Sequence, residues 1–255
     1  MRAGPGLRKA TKLATLPLGL WPPRRVGDLV ILLYHRVGPE QVEIELPPSE
    51  FERELEYLAV HERVISLDDA LEGGAGGVVL TFDDGTPDFH DRVVPTLERF
   101  RLPATLYLAT RLPESGSGVT WSQLADALTT GLVTVGSHTH SHADLARATN
   151  QEAGVEMRQS KELIEDRLGV ECRDFAFPWA VASPGAILAA RAIFRSAAVH
   201  AWQTNRAGRI DPFGLGRTPV LRSDGPFFFE RKVRGRLDGE SVAYRLLHRG
   251  PWERA

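Results

Sequence analysis

Two short segments of the chain combine side chains that can bind a divalent cation and move a proton. Residues 81–85 read TFDDG, so two carboxylates lie side by side at the end of an apolar run. Residues 136–142 read GSHTHSH, which places three histidines at alternate positions. Imidazole and carboxylate are common ligands of zinc and other first-row metals. The two segments therefore predict a metal centre.

The acidic pair, Asp83 and Asp84, allows a division of roles. Adjacent residues of a strand point to opposite faces, but a turn at Gly85 can bring both carboxylates to one side. One of them can then bind the cation while the other takes a proton from water. The alternative is an ordinary Asp-Asp-Gly turn, which is common in loops.

The histidine segment is the stronger signal. A lone histidine is more often a core or surface residue than a ligand, but His138, His140 and His142 lie within five positions. Two imidazoles and one carboxylate form a facial set that leaves coordination positions open for water and substrate, as catalysis requires. Cys172 is the single cysteine, which excludes an internal disulfide and a cysteine-built zinc site.

The order of elements along the chain indicates how these segments are positioned. In 255 residues, of which 42% are hydrophobic, short β-rich runs alternate with helical patterns. This alternation is typical of parallel βα units, and seven or eight strands in about 200 residues fit a (β/α) barrel better than an open sheet. The predicted strands are 29–34, 63–67, 78–82, 104–109, 133–136, 174–177, 196–199 and 218–221.

The helical patterns carry their own start signals. Residues 49–52 and 149–152 both match a capping box, in which a hydroxyl and a carboxylate satisfy backbone donors reciprocally. The second box precedes a predicted helix over 152–168 with Val155 on its apolar stripe. From Glu230 onward the chain is rich in arginine, and we expect a solvated surface helix there.

The succession of TFDDG and H-T-x-x-H resembles the signature of the polysaccharide deacetylases, the NodB-homology or family 4 carbohydrate esterases. The similarity extends from residues 32–37 (LLYHRV) through 103–106 (PATL) to 175–179 (FAFPW) and Arg217. The resemblance implies an α/β fold, a distorted (β/α)7 barrel in a single domain. That architecture agrees with the alternation of strands and helices.

The same resemblance implies a role for each matching residue. Asp83 would be the general base, and Asp84, His138 and His142 would be the metal ligands. Trp179 would turn its backbone N–H toward the developing oxyanion and its ring toward the sugar. A buried core aromatic is the equal alternative for Trp179.

The chain departs from the family pattern at three places. The arginine that orients the catalytic aspartate in the commoner third motif has no counterpart before Pro178, so the orientation of Asp83 is unexplained. Ala180 stands where the Tyr-Pro-Tyr variant of that motif has glycine. Residues 215–217 (LGR) stand where the family often has Leu-x-His, whose histidine supplies the general acid.

The general acid therefore has no clear candidate. Arg217 stays protonated at working pH and is a poor proton donor, although it can stabilise negative charge. His35 follows an apolar strand and is the better candidate, with a structural histidine at a strand end as the equal alternative. His200 and His248 are weaker candidates.

The predicted activity is metal-dependent hydrolysis of N-acetyl or O-acetyl groups on a sugar or polysaccharide. Zinc is the leading metal for two imidazoles and a carboxylate, and cobalt, nickel, manganese and iron suit the same ligands. Two other classes stay open. One is a catalytically impaired barrel that binds glycan, and the other is a metal-dependent phosphoesterase, ranked last because the sequence shows no second ligand cluster for a two-metal centre.

We expect a basic N-terminal arm over residues 1–27, the catalytic barrel over 28–235 and a tail over 236–255. A net charge of −2 gives no indication of a nucleic-acid partner. No window is long and apolar enough to span a bilayer, and the apolar stretch of the arm is too short for a signal peptide. We therefore expect a cytoplasmic protein, with peripheral membrane contact through the arm as the weaker alternative.

Overall fold

The computed structural model describes residues 24–40, 42–74, 76–201 and 204–236. In chain order, its strands are β1 (Leu29–Tyr34), β2 (Arg36–Val37), β3 (Glu45–Leu46), β4 (Gly77–Asp84), β5 (Ala104–Leu108), β6 (Val133–Ser137), β7 (Asp174–Ala176), β8 (Ser196–Ala201) and β9 (Leu215–Pro219). β2 and β3 form a separate two-stranded sheet, and the other seven strands close into a parallel barrel. The predicted seven-stranded α/β barrel is confirmed.

The barrel closes where the first strand meets the last. From β4 to β9 each strand pairs with the next one in the chain. β1 pairs with β4 along its whole length and with β9 through Leu32 and Leu33. A parallel sheet closed in this way brings the carboxyl ends of all seven strands to one mouth, where barrel enzymes build their sites.

Helices surround the strands. They are α1 (Pro48–His61), α2 (Leu67–Glu72), α3 (Val94–Phe100), α4 (Arg111–Ser115), α5 (Trp121–Thr129), α6 (Asn150–Leu168), α7 (Pro184–Ile193) and α8 (Gly225–Val233), with a π-helical turn at Phe89–Val93 ahead of α3. No helix in the described part of the chain has both the length and the apolar character needed to cross a membrane. The compartment and the domain boundaries at residues 27 and 235 stay predictions.

Side-chain alternation in the strands builds two apolar layers. On β1, Val30, Leu32 and Tyr34 pack in the core between barrel and helices, whereas Leu29 and Ile31 belong to the cluster inside the barrel. Both faces of the strand are thus buried, which explains why its sequence is continuously apolar.

The predicted strand over residues 63–67 is wrong. Val64 makes a single bridge to Val78, and Leu67 already begins α2. Ser66 is the N-cap of that helix, because its side chain accepts a hydrogen bond from the Asp69 backbone N–H. The last predicted strand, 218–221, is displaced, since β9 spans Leu215–Pro219.

Of the two predicted capping boxes, the one at Thr149 is confirmed, with both reciprocal hydrogen bonds to Glu152. The one at Ser49 is wrong. α1 begins at Pro48 and has no side-chain cap, because its N-cap residue is Pro47, whose side chain offers no hydrogen-bond acceptor.

The prediction that Val155 lies on an apolar stripe is wrong. Val155 is exposed, because α6 turns Ala153 and Met157 toward the barrel instead. Glu230 lies in α8, which buries Phe229 and Lys232, so this part of the arginine-rich segment is not a wholly solvated helix. Most of the predicted arm and the tail from residue 237 lie outside the described residues.

Candidate active site

The structure brings the site residues expected from the sequence to the carboxyl ends of the barrel strands. Their positions are His35 directly after β1, Asp83 and Asp84 at the end of β4, His138 directly after β6, Trp179 in the 3-10 turn Pro178–Ala180 after β7, and Arg217 within β9. His142 follows His138 in the same loop. The His200 side chain and His248 lie outside the described part of the chain.

Asp84, His138 and His142 form a possible metal site. One ligand atom from each lies within 4.8 Å of the other two. Asp84 Oδ1 is 3.3 Å from His142 Nε2 and 3.8 Å from His138 Nε2. This oxygen is buried and has no hydrogen-bond donor among the described residues. A buried carboxylate oxygen facing two imidazole nitrogens fits a cation, because burial without a partner is unfavourable.

The His138 ring is held in the tautomer that a metal ligand needs. Its Nδ1 donates to the backbone carbonyl oxygen of Ala176, 2.8 Å away, so the lone pair of Nε2 faces Asp84. Burial lowers the pKa of His138 to about 4 despite the nearby Asp83 carboxylate. The imidazole is therefore neutral at neutral pH, as metal binding requires.

The loop that carries the two histidines is held by Glu156 of α6. Its carboxylate accepts hydrogen bonds from the backbone N–H groups of His140, at 3.1 Å, and Ser141, at 2.9 Å. The His140 ring is directed elsewhere, with Nδ1 2.9 Å from the Thr110 hydroxyl. His140 thus shapes the loop from outside the group formed by Asp84, His138 and His142.

Three residues of this site and its loop have left-handed backbone conformations, which set the directions of their side chains. Asp84 has φ 75°, Thr139 has φ 66° and His142 has φ 57°. Such conformations are unfavourable for residues with a Cβ and persist where the surrounding structure enforces them. The turn that brings both carboxylates to the mouth therefore begins at Asp84 itself, one residue before the expected Gly85.

Arg217 holds Asp83 in a bidentate ion pair. Nη1 donates to Oδ1 at 2.6 Å and Nη2 donates to Oδ2 at 2.8 Å, and both side chains are buried. Two parallel bonds fix the carboxylate plane as well as its position. The missing arginine of the third motif thus has a counterpart on β9.

Asp83 is ionised and close to the possible metal site. Burial opposes its ionisation, but the charge and hydrogen bonds of Arg217 and the electrostatic contributions of the nearby imidazoles together outweigh burial and lower the Asp83 pKa to about 2. Asp83 Oδ2 lies 3.6 Å from His138 Nε2. A carboxylate in this position can accept a proton from a water held between them.

Trp179 and His35 lie at the same mouth. The Trp179 ring is half-buried and meets His142 edge-on, with ring centroids 4.8 Å apart. This placement favours a wall of the site over a core aromatic. His35 is half-buried and close enough to Asp83 for its charge to contribute to the low Asp83 pKa.

Residues 71–193 match the family model described as polysaccharide deacetylase. The chain is similar to the polysaccharide deacetylases over this segment, which is a little under half of its length. It is 25% identical over 160 residues to YxkH of Bacillus subtilis (strain 168), a protein named for the same family. That match covers 60% of this chain and 57% of YxkH, so it spans less than two thirds of the relative.

Solved structures share the fold. The Streptococcus pyogenes deacetylase PplD, determined in complex with acetate, superposes with a TM-score of 0.73 at 22% identity, covering 82% of this chain and 99% of that one. IcaB of Ammonifex degensii superposes with a TM-score of 0.70 at 24% identity, covering 82% and 97%. These similarities show that the barrel fold is shared.

Two supports of this site were missed by sequence reasoning. The Ala176 carbonyl carries no side-chain signal, because any residue offers the same acceptor. Glu156 follows the capping box at Thr149 by two helical turns, so its distance from the histidine loop could have been estimated. Its role depends on how α6 packs against β6, which the sequence pattern does not show.

Proposed function

We propose that this protein is a metal-dependent hydrolase that removes acetyl groups from an N-acetylated or O-acetylated sugar or polysaccharide. The observation that carries the proposal is the position of Asp83. It lies beside the Asp84, His138 and His142 group without being part of it, and Arg217 fixes its orientation. A base next to a cation site, rather than on it, is what hydrolysis requires.

In this proposal Asp84, His138 and His142 hold the cation, with zinc as the leading metal and cobalt, nickel, manganese or iron suited to the same ligands. A cation bound there supplies Lewis acidity to water and to the acyl carbonyl. The neutral His138 ring and the buried Asp84 oxygen are the features that suit these two residues to the role.

Asp83 then takes the proton from the attacking water. Its low pKa keeps it ionised at neutral pH, and Arg217 prevents it from turning toward the cation ligands. We assign the Trp179 N–H to the developing oxyanion, because the left-handed turn at Trp179 lies beside His142. His35 is the assigned general acid, because it directly follows β1 at the mouth where Asp83 ends β4.

The acetyl group is supported by the relatives. YxkH is named as a polysaccharide deacetylase, and PplD was determined with acetate. The glycan-binding alternative assumed that the residue orienting Asp83 had been lost, and Arg217 removes that assumption. The phosphoesterase alternative lacks support, because Asp84, His138 and His142 form the one candidate ligand group within residues 24–40, 42–74, 76–201 and 204–236.

The test is acetate release from acetylated glucosamine oligomers, with and without a chelator. The parent should release acetate, lose this activity with the chelator and regain it with zinc. Asp83→Asn should keep the cation but lose about 100- to 10,000-fold in rate. It should also be less stable, because an amide replaces the counter-charge of buried Arg217.

Two results would contradict the proposal. A parent that binds acetylated oligomers without releasing acetate would be a glycan-binding barrel. Parental activity in metal-loaded Asp83→Asn would mean that another group is the base.

A further inference from the structure

Tyr107 lies next to Asp83 in the interior of the barrel. Asp83 on β4 pairs with Tyr107 on β5, and Tyr107 in turn pairs with Gly136 on β6. Paired residues of neighbouring strands point to the same side of a sheet. The Tyr107 side chain is buried inside the barrel, in the cluster that also contains Ala176 and Ala198.

Gly136 leaves the space that the Tyr107 ring occupies. A Cβ on Gly136 would lie 2.8 Å and 2.9 Å from two carbons of that ring and 2.7 Å from the Asp174 carbonyl oxygen. These separations are shorter than real Cβ contacts. The glycine that opens the GSHTHSH segment therefore has a spatial role, and the large ring is matched to small residues on the facing strands.

The Tyr107 ring packs against the Arg217 guanidinium, which orients Asp83. The Arg217 Cζ atom lies over the Tyr107 ring, 5.3 Å from its centroid. The face of an aromatic ring attracts a cation, more strongly where water is excluded, and both residues here are almost completely buried. A rigid ring at this distance also blocks rotation of the guanidinium away from the carboxylate.

We infer that Tyr107 is a positioning residue, whose ring holds the Arg217 guanidinium and through it the Asp83 carboxylate, in the space left by Gly136. The inference rests on the proposed function, because positioning of Asp83 affects the rate only if Asp83 is the base. It assigns no role to the Tyr107 hydroxyl. The ring, and not the phenol, is the part that acts.

The experiment compares a variant that keeps the ring with two that lose it. Tyr107→Phe should keep the parental kcat. Tyr107→Leu and Tyr107→Met should lower kcat by roughly 3- to 30-fold, the range expected for loss of a buried cation–π contact. KM for acetylated glucosamine oligomers and metal content should stay parental in all three, because the ring is buried inside the barrel and Tyr107 is not part of the Asp84, His138 and His142 group.

A second measurement does not depend on turnover. Rotation of the Arg217 guanidinium can be followed through its ¹⁵N–¹H resonances, assigned by their loss in Arg217→Lys. Rotation should be slow in the parent and in Tyr107→Phe, and faster in the two variants without a ring. If the parent releases no acetate while this pattern holds, the proposed function fails and the positioning role stands.

Four results would overturn the inference. The first is parental kcat in the ring-less variants. The second is an equal loss in Tyr107→Phe, which would make the hydroxyl the acting group. The third is unchanged guanidinium rotation in the ring-less variants. The fourth is loss of the fold in both Tyr107→Leu and Tyr107→Met, which would show that the ring supports the barrel as a whole.

Discussion

The His138 imidazole donates from Nδ1 to the backbone oxygen of Ala176, and this contact leaves the Nε2 lone pair facing Asp84. The acceptor belongs to the main chain at the end of β7. It is therefore present whatever residue occupies position 176, and the ligand orientation depends on the barrel and not on a neighbouring side chain.

The first prediction concerns the cation ligands. Asp84→Asn and His138→Ala should each weaken metal affinity by about 100-fold or more, because each removes or neutralises a ligand. Asparagine tolerates the left-handed conformation of residue 84, so the loop should keep its shape. Elemental analysis after dialysis measures the effect, with Asp83→Asn as the matched control. Parental metal content in Asp84→Asn would exclude Asp84 as a ligand.

The second prediction concerns Arg217. Arg217→Met should lower the free energy of unfolding by about 3–5 kcal/mol, because it leaves the buried Asp83 carboxylate without its counter-charge. Arg217→Lys keeps the charge but loses the bidentate geometry, so it should be more stable than Arg217→Met and yet slower than the parent by roughly 10- to 100-fold. Urea unfolding and acetate release measure the two effects. Equal stability of the parent and Arg217→Met would contradict this.

The third prediction concerns Ala180, where the backbone has φ 51°. A left-handed residue with a Cβ is strained by roughly 1–2 kcal/mol, and glycine removes that strain at some loss of unfolded-state entropy. Ala180→Gly should therefore stabilise the protein by about 0.5–1 kcal/mol. Ala182→Gly, at a position outside the left-handed region, is the control and should destabilise it. A lower urea midpoint for Ala180→Gly would refute the prediction.

The fourth prediction concerns pH. His90 lies between two carboxylates, with Nδ1 3.0 Å from Asp91 and Nε2 3.1 Å from Asp126, and these hydrogen bonds raise its pKa above 6.5. Its contribution to stability is therefore complete below about pH 6.5 and is lost as pH rises through the folded-state pKa. The stability difference between the parent and His90→Gln should be at most about 1 kcal/mol and largest at the acidic end.

The control for this prediction is Asp126→Asn, which removes one of the two carboxylates. It should reduce the pH dependence without abolishing it, since Asp91 remains. A difference between the parent and His90→Gln that grows with rising pH would show that the ring is not stabilised in its charged form. Urea unfolding measured from about pH 5.5 to about pH 8 makes the comparison, because this range brackets the ordinary histidine pKa of about 6.5.

Local signals account for what the sequence predicted well. The two segments are contiguous and each lies directly after a β-rich run, so residue type and spacing predicted a metal centre there. The family resemblance then selected Asp84, His138 and His142 among the candidate ligands. The signal for the helix that begins after Thr149 was equally local, because a capping box is complete within four residues.

What the sequence did not predict depends on distant contacts. Arg217 was recognised as a poor acid, but its contact with Asp83 joins residues 134 positions apart and exists because β9 closes on β1. The error at residues 63–67 has a local cause instead, because two neighbouring sequence signals conflict. Val64 and Ile65 read as a strand, while Ser66 and the acidic first turn of α2 favoured a helix start.

Closure of the barrel also sets when the site can exist during synthesis. β4 leaves the ribosome with Asp83 well before β9 delivers Arg217, 134 residues later. Until then the Asp83 carboxylate must stay hydrated, because burial without a counter-charge is strongly unfavourable. We therefore expect a nascent chain that ends before β9 to keep a hydrated, open interior, and insertion of the last strand to exclude water from the interior and pair Asp83 with Arg217 in one step.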